Sequence, residues 1–241
     1  MLYVIGIGPG GEAMMTTQAL EAMEECEVIV GYKTYTHLVK NLVGDKEVIK
    51  TGMCKELERC QAAIELAQTG KKVALISSGD AGIYGMAGLI LEMVTKQNLD
   101  VEVKLVPGMT ASIAAASVLG APLMHDFCHI SLSDLLTPWD VIEKRIIAAA
   151  KADFVICFYN PRSRGREGHL AKAFELMAPF KSGNTPVGIV KEAGRRKEQK
   201  WLTTISDMDC TLVDMRSMVI VGNQSTYVKD GLMVTPRGYE V

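Results

Sequence analysis

"LYVIGIGPGG" (residues 2–11) is a short apolar run that ends in a glycine-rich turn, and the reading of that junction decides the fold. Its first half reads as a strand. "EVIVG" (27–31), "KVALIS" (72–77) and "VEVKLV" (101–106) repeat the pattern. Between them, "KELERCQAAIELAQTG" (55–70) places Leu57, Cys60, Ile64 and Ala67 at helical spacing and stops at Gly70. Strand alternating with helix argues for a mostly parallel sheet covered by helices, and in such sheets ligands sit at the carboxyl ends of the strands.

Further along, "PGMTASIAAASVLGAPLM" (107–124) is weakly polar and nearly long enough for a membrane span, but Pro107, Gly108, Gly120 and Pro122 punctuate it. A short buried helix of small residues is the better reading. "LGAPL" (119–123) looks like a hinge, since Gly and Pro interrupt that helix. "FCHISLS" (127–133) then reads as a strand. In "TPWD" Thr137 is the expected N-cap, Pro138 the first helical residue and Asp140 an acidic third, opening a helix to about Ala150. "DFVICFY" is a strand and "GHLAKAFELM" a helix, while "PVGIVK", "KWLTT" and "SMVIVG" are strands with little helix between them, so antiparallel edges are expected. The expected fold class is therefore α/β with two α/β domains: residues 1–118 on a mostly parallel sheet, a hinge at 119–122, and residues 123–241 on a mixed sheet.

Twenty-six basic against 28 acidic side chains leave a net charge of -2, which offers no global attraction for nucleic acid or anionic lipid. No nucleic-acid or membrane partner is expected. The first residues lack Lys or Arg and are broken by Gly6 and Gly8, so neither a signal nor a transit peptide is expected and a cytoplasmic location is. Cys26, Cys54, Cys60, Cys128, Cys157 and Cys210 form no C-x-x-C pair and read as reduced, mostly buried thiols. "HDFCH" gathers His125, Cys128 and His129. It lacks a second cluster at zinc-site spacing and precedes a strand, so a structural role is favoured over a metal site.

Gly6, Gly8 and Gly11 match G-x-G-x-x-G, the literal signature of a nicotinamide-dependent oxidoreductase. A dinucleotide site needs an acidic residue about 20 positions on, at the end of the second strand. "VIVGYKTYT" (28–36) has none, and Pro9 removes a backbone donor from the turn. Two more small-residue loops follow predicted strands: "SGDAGIYGMAG" (78–88) and "PGMTASIAAAS" (107–117). Three such loops at one sheet edge suit a ligand pressed against backbone.

In this order and spacing the three loops resemble the tetrapyrrole methylase family, the class III S-adenosylmethionine-dependent methyltransferases, over essentially the whole chain. Ala81 stands where the family usually has Pro. "LGAPLMHDFCHISLSDLLTPW" (119–139) and "FYNPRSRGR" (158–166) resemble the branch that methylates C-17 of a corrin precursor, precorrin-3B or cobalt-factor III, and contracts its ring. The resemblance implies S-adenosylmethionine as cofactor, S-adenosylhomocysteine as product, a homodimer, and a site in the cleft between two α/β domains. It carries cofactor contacts onto Pro9, Ser78, Gly79, Asp80, Ile83, Tyr84, Thr110, Ala111, Asn160 and Gly194, for which turn chemistry is the competing explanation at the glycines.

Methyl displacement from sulfonium needs alignment more than an acid or base. Ring contraction needs proton transfers, for which His125, Asp126, His129, Ser133 and Asp134 are candidates by type; strand packing and capping explain them equally well. Corrin precursors carry many carboxylates, so Arg162, Arg164 and Arg166 are candidate substrate-binding residues. "KEAGRRKEQK" adds Lys191, Arg195, Arg196 and Lys197, a run that reads equally as solvated surface. A tetrapyrrole methylase acting at another corrin carbon is the nearest alternative.

Overall fold

The computed structural model describes residues 1–163 and 165–240. It divides into two units, Met1–Ala111 and the chain from Ser112 onward.

In the first unit β1 (Leu2–Gly6), β2 (Val28–Tyr32), β3 (Glu47–Thr51), β4 (Val73–Ser77) and β5 (Val103–Val106) form one sheet in the order β3-β2-β4-β1-β5, every pair parallel. Helices α1 (Thr17–Glu25), α2 (Lys33–Leu38), α3 (Glu56–Gln68) and α4 (Ala87–Lys96) connect the strands. The two-residue period of a strand sends Leu2, Val4, Val28, Val30, Val73 and Leu75 to the α3/α4 side. Tyr3, Ile5, Ile29, Ala74 and Ile76 go to the other side, against Ala19, Ala22 and Met23 of α1. Burial on both faces is why β1 and β4 read as unbroken apolar runs. On α3, Cys60, Ile64 and Ala67 are buried as their spacing predicts, but Leu57 is 64% exposed. It lies in the opening turn of α3, before the apolar stripe meets the sheet.

The second unit begins with α5 (Ala111–Leu119), whose Ser112, Ala114, Ala115, Ala116 and Leu119 are buried. Next come β6 (Gly120–Ala121), β7 (Phe127–Ser131), α6 (Trp139–Lys151), β8 (Val155–Tyr159), α7 (His169–Met177), β9 (Pro186–Lys191), β10 (Gln199–Thr204), β11 (Ser217–Val221), β12 (Tyr227–Lys229) and β13 (Leu232–Val234). The main sheet runs β10-β9-β11-β8-β7, with β7 and β8 parallel and the rest antiparallel, a mixed sheet as expected. One face carries Ile130, Ile156, Phe158, Val187, Ile189, Val219 and Val221 onto α6 and α7. On the other face an added Cβ at Gly188 would lie 2.5 Å from Leu119 Cδ1, so the glycine makes room for α5.

That packing groups α5 with the second unit, whose first residue is Ser112. Within 119–122, Gly120 and Ala121 pair with Met233 and Val234 of β13 in a small sheet. The start of α6 differs from expectation. Pro138, not Thr137, is the N-cap, because its ring fixes φ but leaves ψ extended at 142°, and helical geometry begins at Trp139. Among the described residues no helix is long and apolar enough to cross a membrane.

Candidate active site

The loops after β1, β4 and β5 leave three adjacent strands, and they meet through bare backbone. Gly8 and Gly79 form an isolated antiparallel bridge, Gly8 N donating to Gly79 O (3.0 Å) and Gly79 N to Gly8 O (2.8 Å). Both adopt φ of 70°, the left-handed region that favours glycine. A Cβ on Gly108 would lie 2.3 Å from Gly79 O and 2.5 Å from Gly6 O; one on Gly6 would lie 2.7 Å from Gly108 N. Gly6 and Gly8 therefore serve loop-to-loop contact, while a Cβ on Gly11 would meet nothing within 4 Å.

Asp80 locks the arrangement. Its Oδ2 accepts from Gly108 N (2.9 Å) and its Oδ1 from Gly82 N (2.8 Å), so one carboxylate ties the second loop to the third. Ser78 Oγ donates to Gly8 O at 3.5 Å. Below the loops, Thr16 caps α1 by accepting from Ala19 N and donates its hydroxyl to Pro107 O. At Ala81 the turn closes through Ala87 N donating to Ala81 O (2.9 Å). Pro9 and Thr110 are buried, Ile83 and Ala111 half-buried, and Tyr84 exposed with φ of 54°. Such a surface presents carbonyls, small side chains and an Asp80 whose two oxygens already accept backbone N–H groups. It suits an uncharged or cationic adenosyl group held by backbone better than a pyrophosphate, which needs convergent N–H donors.

In the second unit the carboxyl ends of β7 and β8 carry the polar groups. Ser131 pairs in register with Tyr159, and His129 with Cys157. These four share the face on which α5 packs, whereas Cys128 packs with the opposite core. Ser112, fully buried on α5, joins them: its Oγ lies 2.8 Å from His129 Nε2, Tyr159 Oη donates to it at 3.1 Å, and Ser112 N donates to Tyr159 Oη at 3.2 Å. The imidazole lies tilted against two rings, its centroid 5.0 Å from that of Tyr159 and 5.7 Å from that of Phe127, and burial lowers its pKa. Asn160, with φ of 50°, donates its Nδ2 to Ser131 Oγ (3.0 Å), which also accepts from Ser133 N (3.2 Å).

The five proton-transfer candidates do not converge. His129, Ser133 and Asp134 lie on β7 or beyond its carboxyl end, while His125 and Asp126 precede its amino end. There His125 Nδ1 accepts from Asp126 N, and both residues line an open pocket with Asp153, Asn223, Gln224 and Arg237. His125, Cys128 and His129 are thus spread along the strand and over both its faces. Among the described residues no three His, Cys, Asp or Glu side chains gather to hold a metal. Burial pushes the Cys26, Cys60 and Cys128 thiols up to about 11 and raises Cys157 further, so these are packing groups; Cys54 is exposed.

Beyond β8, Arg162 donates its Nη1 to Cys210 O (2.9 Å) and lies 3.8 Å from Glu167. Arg164 falls outside the described residues. Arg166 donates Nε to Ser163 Oγ (2.9 Å) and sits 3.9 Å from Asp134, but its buried Nη1 has no hydrogen-bond partner among the described residues. Asp134 also contacts His169 Nε2 at 3.1 Å, and the His169 ring stands edge-on to Trp139. In the other basic segment Gly194 (φ 72°) gives its N–H to Glu198 (2.6 Å), and Lys191 pairs with Asp214 at 2.8 Å. Ser112 and Tyr159 went unmarked in the sequence; only the meeting of α5 with the β7–β8 face makes them neighbours.

Comparison with known proteins places this geometry. The profile described as Tetrapyrrole (Corrin/Porphyrin) Methylases matches residues 1–209. A relative from Salmonella typhimurium, named "Probable cobalt-factor III C(17)-methyltransferase", is 77% identical over 239 residues, covering 99% of each chain. One from Sinorhizobium sp, named "Precorrin-3B C(17)-methyltransferase", is 39% identical over 246 residues, covering 99% of this chain and 96% of its own. Among solved structures, the one described as "Crystal structure of the methyltransferase CobJ" superposes with a TM-score of 0.92 at 33% identity, over 98% of this chain and 99% of that one. With the family profile spanning most of both units, and full-length relatives on either side of the corrin pathway's naming, the chain belongs to the tetrapyrrole methylase family.

Proposed function

We propose that the protein methylates C-17 of a corrin precursor with S-adenosylmethionine and contracts the macrocycle, giving precorrin-4 or cobalt-precorrin-4 in cobalamin biosynthesis. The observation that carries this reading is 77% identity along 99% of a relative named for cobalt-factor III C-17 methylation. It also favours the cobalt-containing precursor over the metal-free one, since the relative named for precorrin-3B is only 39% identical.

S-adenosylmethionine, when bound, supplies the methyl group. The residues proposed to hold it from the first unit are Pro9, Ser78, Gly79, Asp80, Ile83, Tyr84, Thr110 and Ala111. The fit rests on the cradle itself: Gly6, Gly8, Gly79 and Gly108 bring three loops within backbone contact, and Asp80 fixes two of them by accepting from Gly82 and Gly108. Holding the reactants in one geometry is the main contribution such a site makes to methyl transfer, worth up to about 7–11 kcal/mol. Asn160 and Gly194 are weaker proposals, because Asn160 already binds Ser131 and the Gly194 amide already binds Glu198. For the substrate's carboxylates the proposed donor is Arg166, whose Nη1 has no hydrogen-bond partner among the described residues, with Arg162 and Arg164 beside it in sequence. A cytoplasmic homodimer is proposed on the family resemblance.

The test is incubation with S-adenosylmethionine and either cobalt-factor III or precorrin-3B, followed by mass spectrometry. Gain of one methyl group, faster on the cobalt form, is the expected result. No gain on either precursor refutes the reading, and binding of NADH in place of S-adenosylhomocysteine in calorimetry replaces it with the oxidoreductase alternative.

A further inference from the structure

The pocket beside His125 has a volume of about 450 Å³ and lies at the amino ends of β7 and β8, the far end of the second unit's main sheet from Ser131, Tyr159 and Asn160. Three segments wall it, and each is locked from behind. The Lys181 ammonium, its side chain 1% exposed, holds Asp153 at 2.9 Å, and Asp153 Oδ2 accepts from Gln224 N at 3.1 Å. Asn223 Oδ1 accepts from Ser225 N (3.1 Å), Ser225 Oγ (2.8 Å) and Thr226 Oγ1 (3.0 Å), which fixes the turn after β11. Thr226 Oγ1 in turn lies 2.8 Å from Oγ1 of the fully buried Thr235, which anchors the segment leading to Pro236 and Arg237.

Donors are left over on these walls. Because Asn223 Oδ1 accepts from a backbone N–H, the other amide atom is the nitrogen. Asn223 is 6% exposed, and its Nδ2 hydrogens meet no acceptor among the described residues. Buried donors of this kind cost stability until something in the pocket accepts from them. His125 Nδ1 accepts from Asp126 N at 2.8 Å, so the neutral ring carries its hydrogen on Nε2, which has no partner among the described residues. The Arg237 guanidinium makes no hydrogen bond or ion pair among them either.

Charge selects the guest. Lys181 offsets Asp153, which leaves Asp126 and Arg237 to balance each other, so the pocket is near neutral before anything binds. That balance suits a monoanion better than a dianion. Ala152, Phe154 and Pro236 add an apolar wall. We propose that this pocket binds a small organic carboxylate, its oxygens accepting from Arg237, His125 Nε2–H and Asn223 Nδ2 and its carbon chain lying on Phe154 and Pro236. Guanidinium suits the head group because its paired N–H donors match two carboxylate oxygens. The site takes nothing from methyl transfer, and it stands whether or not the protein acts on a corrin.

The test is nitrogen-15 NMR of the full chain titrated with butyrate, and separately with butylammonium, butanol and inorganic phosphate. Butyrate should shift the Asn223 side-chain amide and the Gln224 and Ser225 backbone amides saturably, and the other three probes should not. Asn223→Asp keeps the oxygen that accepts from Ser225 and Thr226 but replaces the donor nitrogen with a second oxygen. Arg237→Gln changes an exposed residue with no partner to lose among the described residues, so its melting temperature should equal that of the wild type. Each substitution should weaken butyrate binding about tenfold or more. If Asn223→Asp does not fold, Arg237→Gln decides alone. Equal shifts from butyrate and butanol or butylammonium, tighter binding of phosphate than of butyrate, shifts that never saturate, or wild-type affinity in either folded variant overturns the proposal.

Discussion

Gly108→Ala is predicted to abolish the cradle while leaving the rest of the first unit folded. The added Cβ would sit 2.3 Å from Gly79 O, and ordinary contact begins near 3.4 Å, so the third loop must retreat by about 1 Å. Neither neighbour can turn aside, because both are backbone: Gly79 is bridged to Gly8, and Gly6 ends β1. Overpacking of this kind costs about 1–3 kcal/mol, a melting point lower by roughly 2–12 °C in a chain of this size. The functional loss should be larger than the stability loss, since retreat of the loop also strains the Asp80 bond to Gly108 N and moves Thr110 and Ala111. Affinity for S-adenosylhomocysteine in calorimetry should fall at least tenfold, which is about 1.4 kcal/mol. Gly11→Ala is the control, because nothing lies within 4 Å of its Cβ. Equal affinity in the two variants would refute the claim that the glycines exist for loop-to-loop contact.

Arg166→Leu should weaken tetrapyrrole binding about tenfold or more, a loss near the lower end for charged hydrogen bonds, with S-adenosylhomocysteine affinity little changed. Arg162→Leu should do less, since its Nη1 is spent on Cys210 O; fluorescence titration of both variants decides. Lys181→Met removes a buried ammonium from Asp153 (2.9 Å) and Gly222 O (2.9 Å). A loss of about 3 kcal/mol in urea unfolding is expected, the low end for breaking a buried pair, because Asp153 is part-exposed and keeps the Gln224 N–H. Burial opposes ionisation of Asp214, but Lys191 and Arg216 outweigh it and hold its pKa at about 2, below the ordinary 3.8. A depressed carboxylate pKa stabilises the fold above the unfolded value and ceases to as pH falls, so about 1 kcal/mol, discounted for solvent, should vanish between roughly pH 4 and pH 2. Asp214→Asn should flatten that part of the stability profile.

Both five-stranded sheets were legible because burial leaves a plain trace: β1, β4 and β8 are continuous apolar runs, and α3 and α7 carry the helical period. β3 escaped notice because it is an edge strand, its Val48 and Ile49 flanked by exposed Glu47 and Lys50. β6, β12 and β13 are two or three residues long and exist only through their pairing with one another. In the site, spacing marked the glycine loops because backbone contact demands glycine at fixed positions. Nearness in sequence does not carry over to the other polar groups: His125 and Asp126 are four and three residues from His129, yet they precede the amino end of the extended strand β7. Ser112 and Tyr159 are 47 residues apart, and no local pattern joins them.

The most direct test of the central claim is transfer of a carbon-13 methyl group from labelled S-adenosylmethionine to cobalt-factor III, with the product's labelled carbon located by NMR. The account predicts one label, on C-17, in a ring-contracted macrocycle. A label on any other carbon, or none, contradicts it.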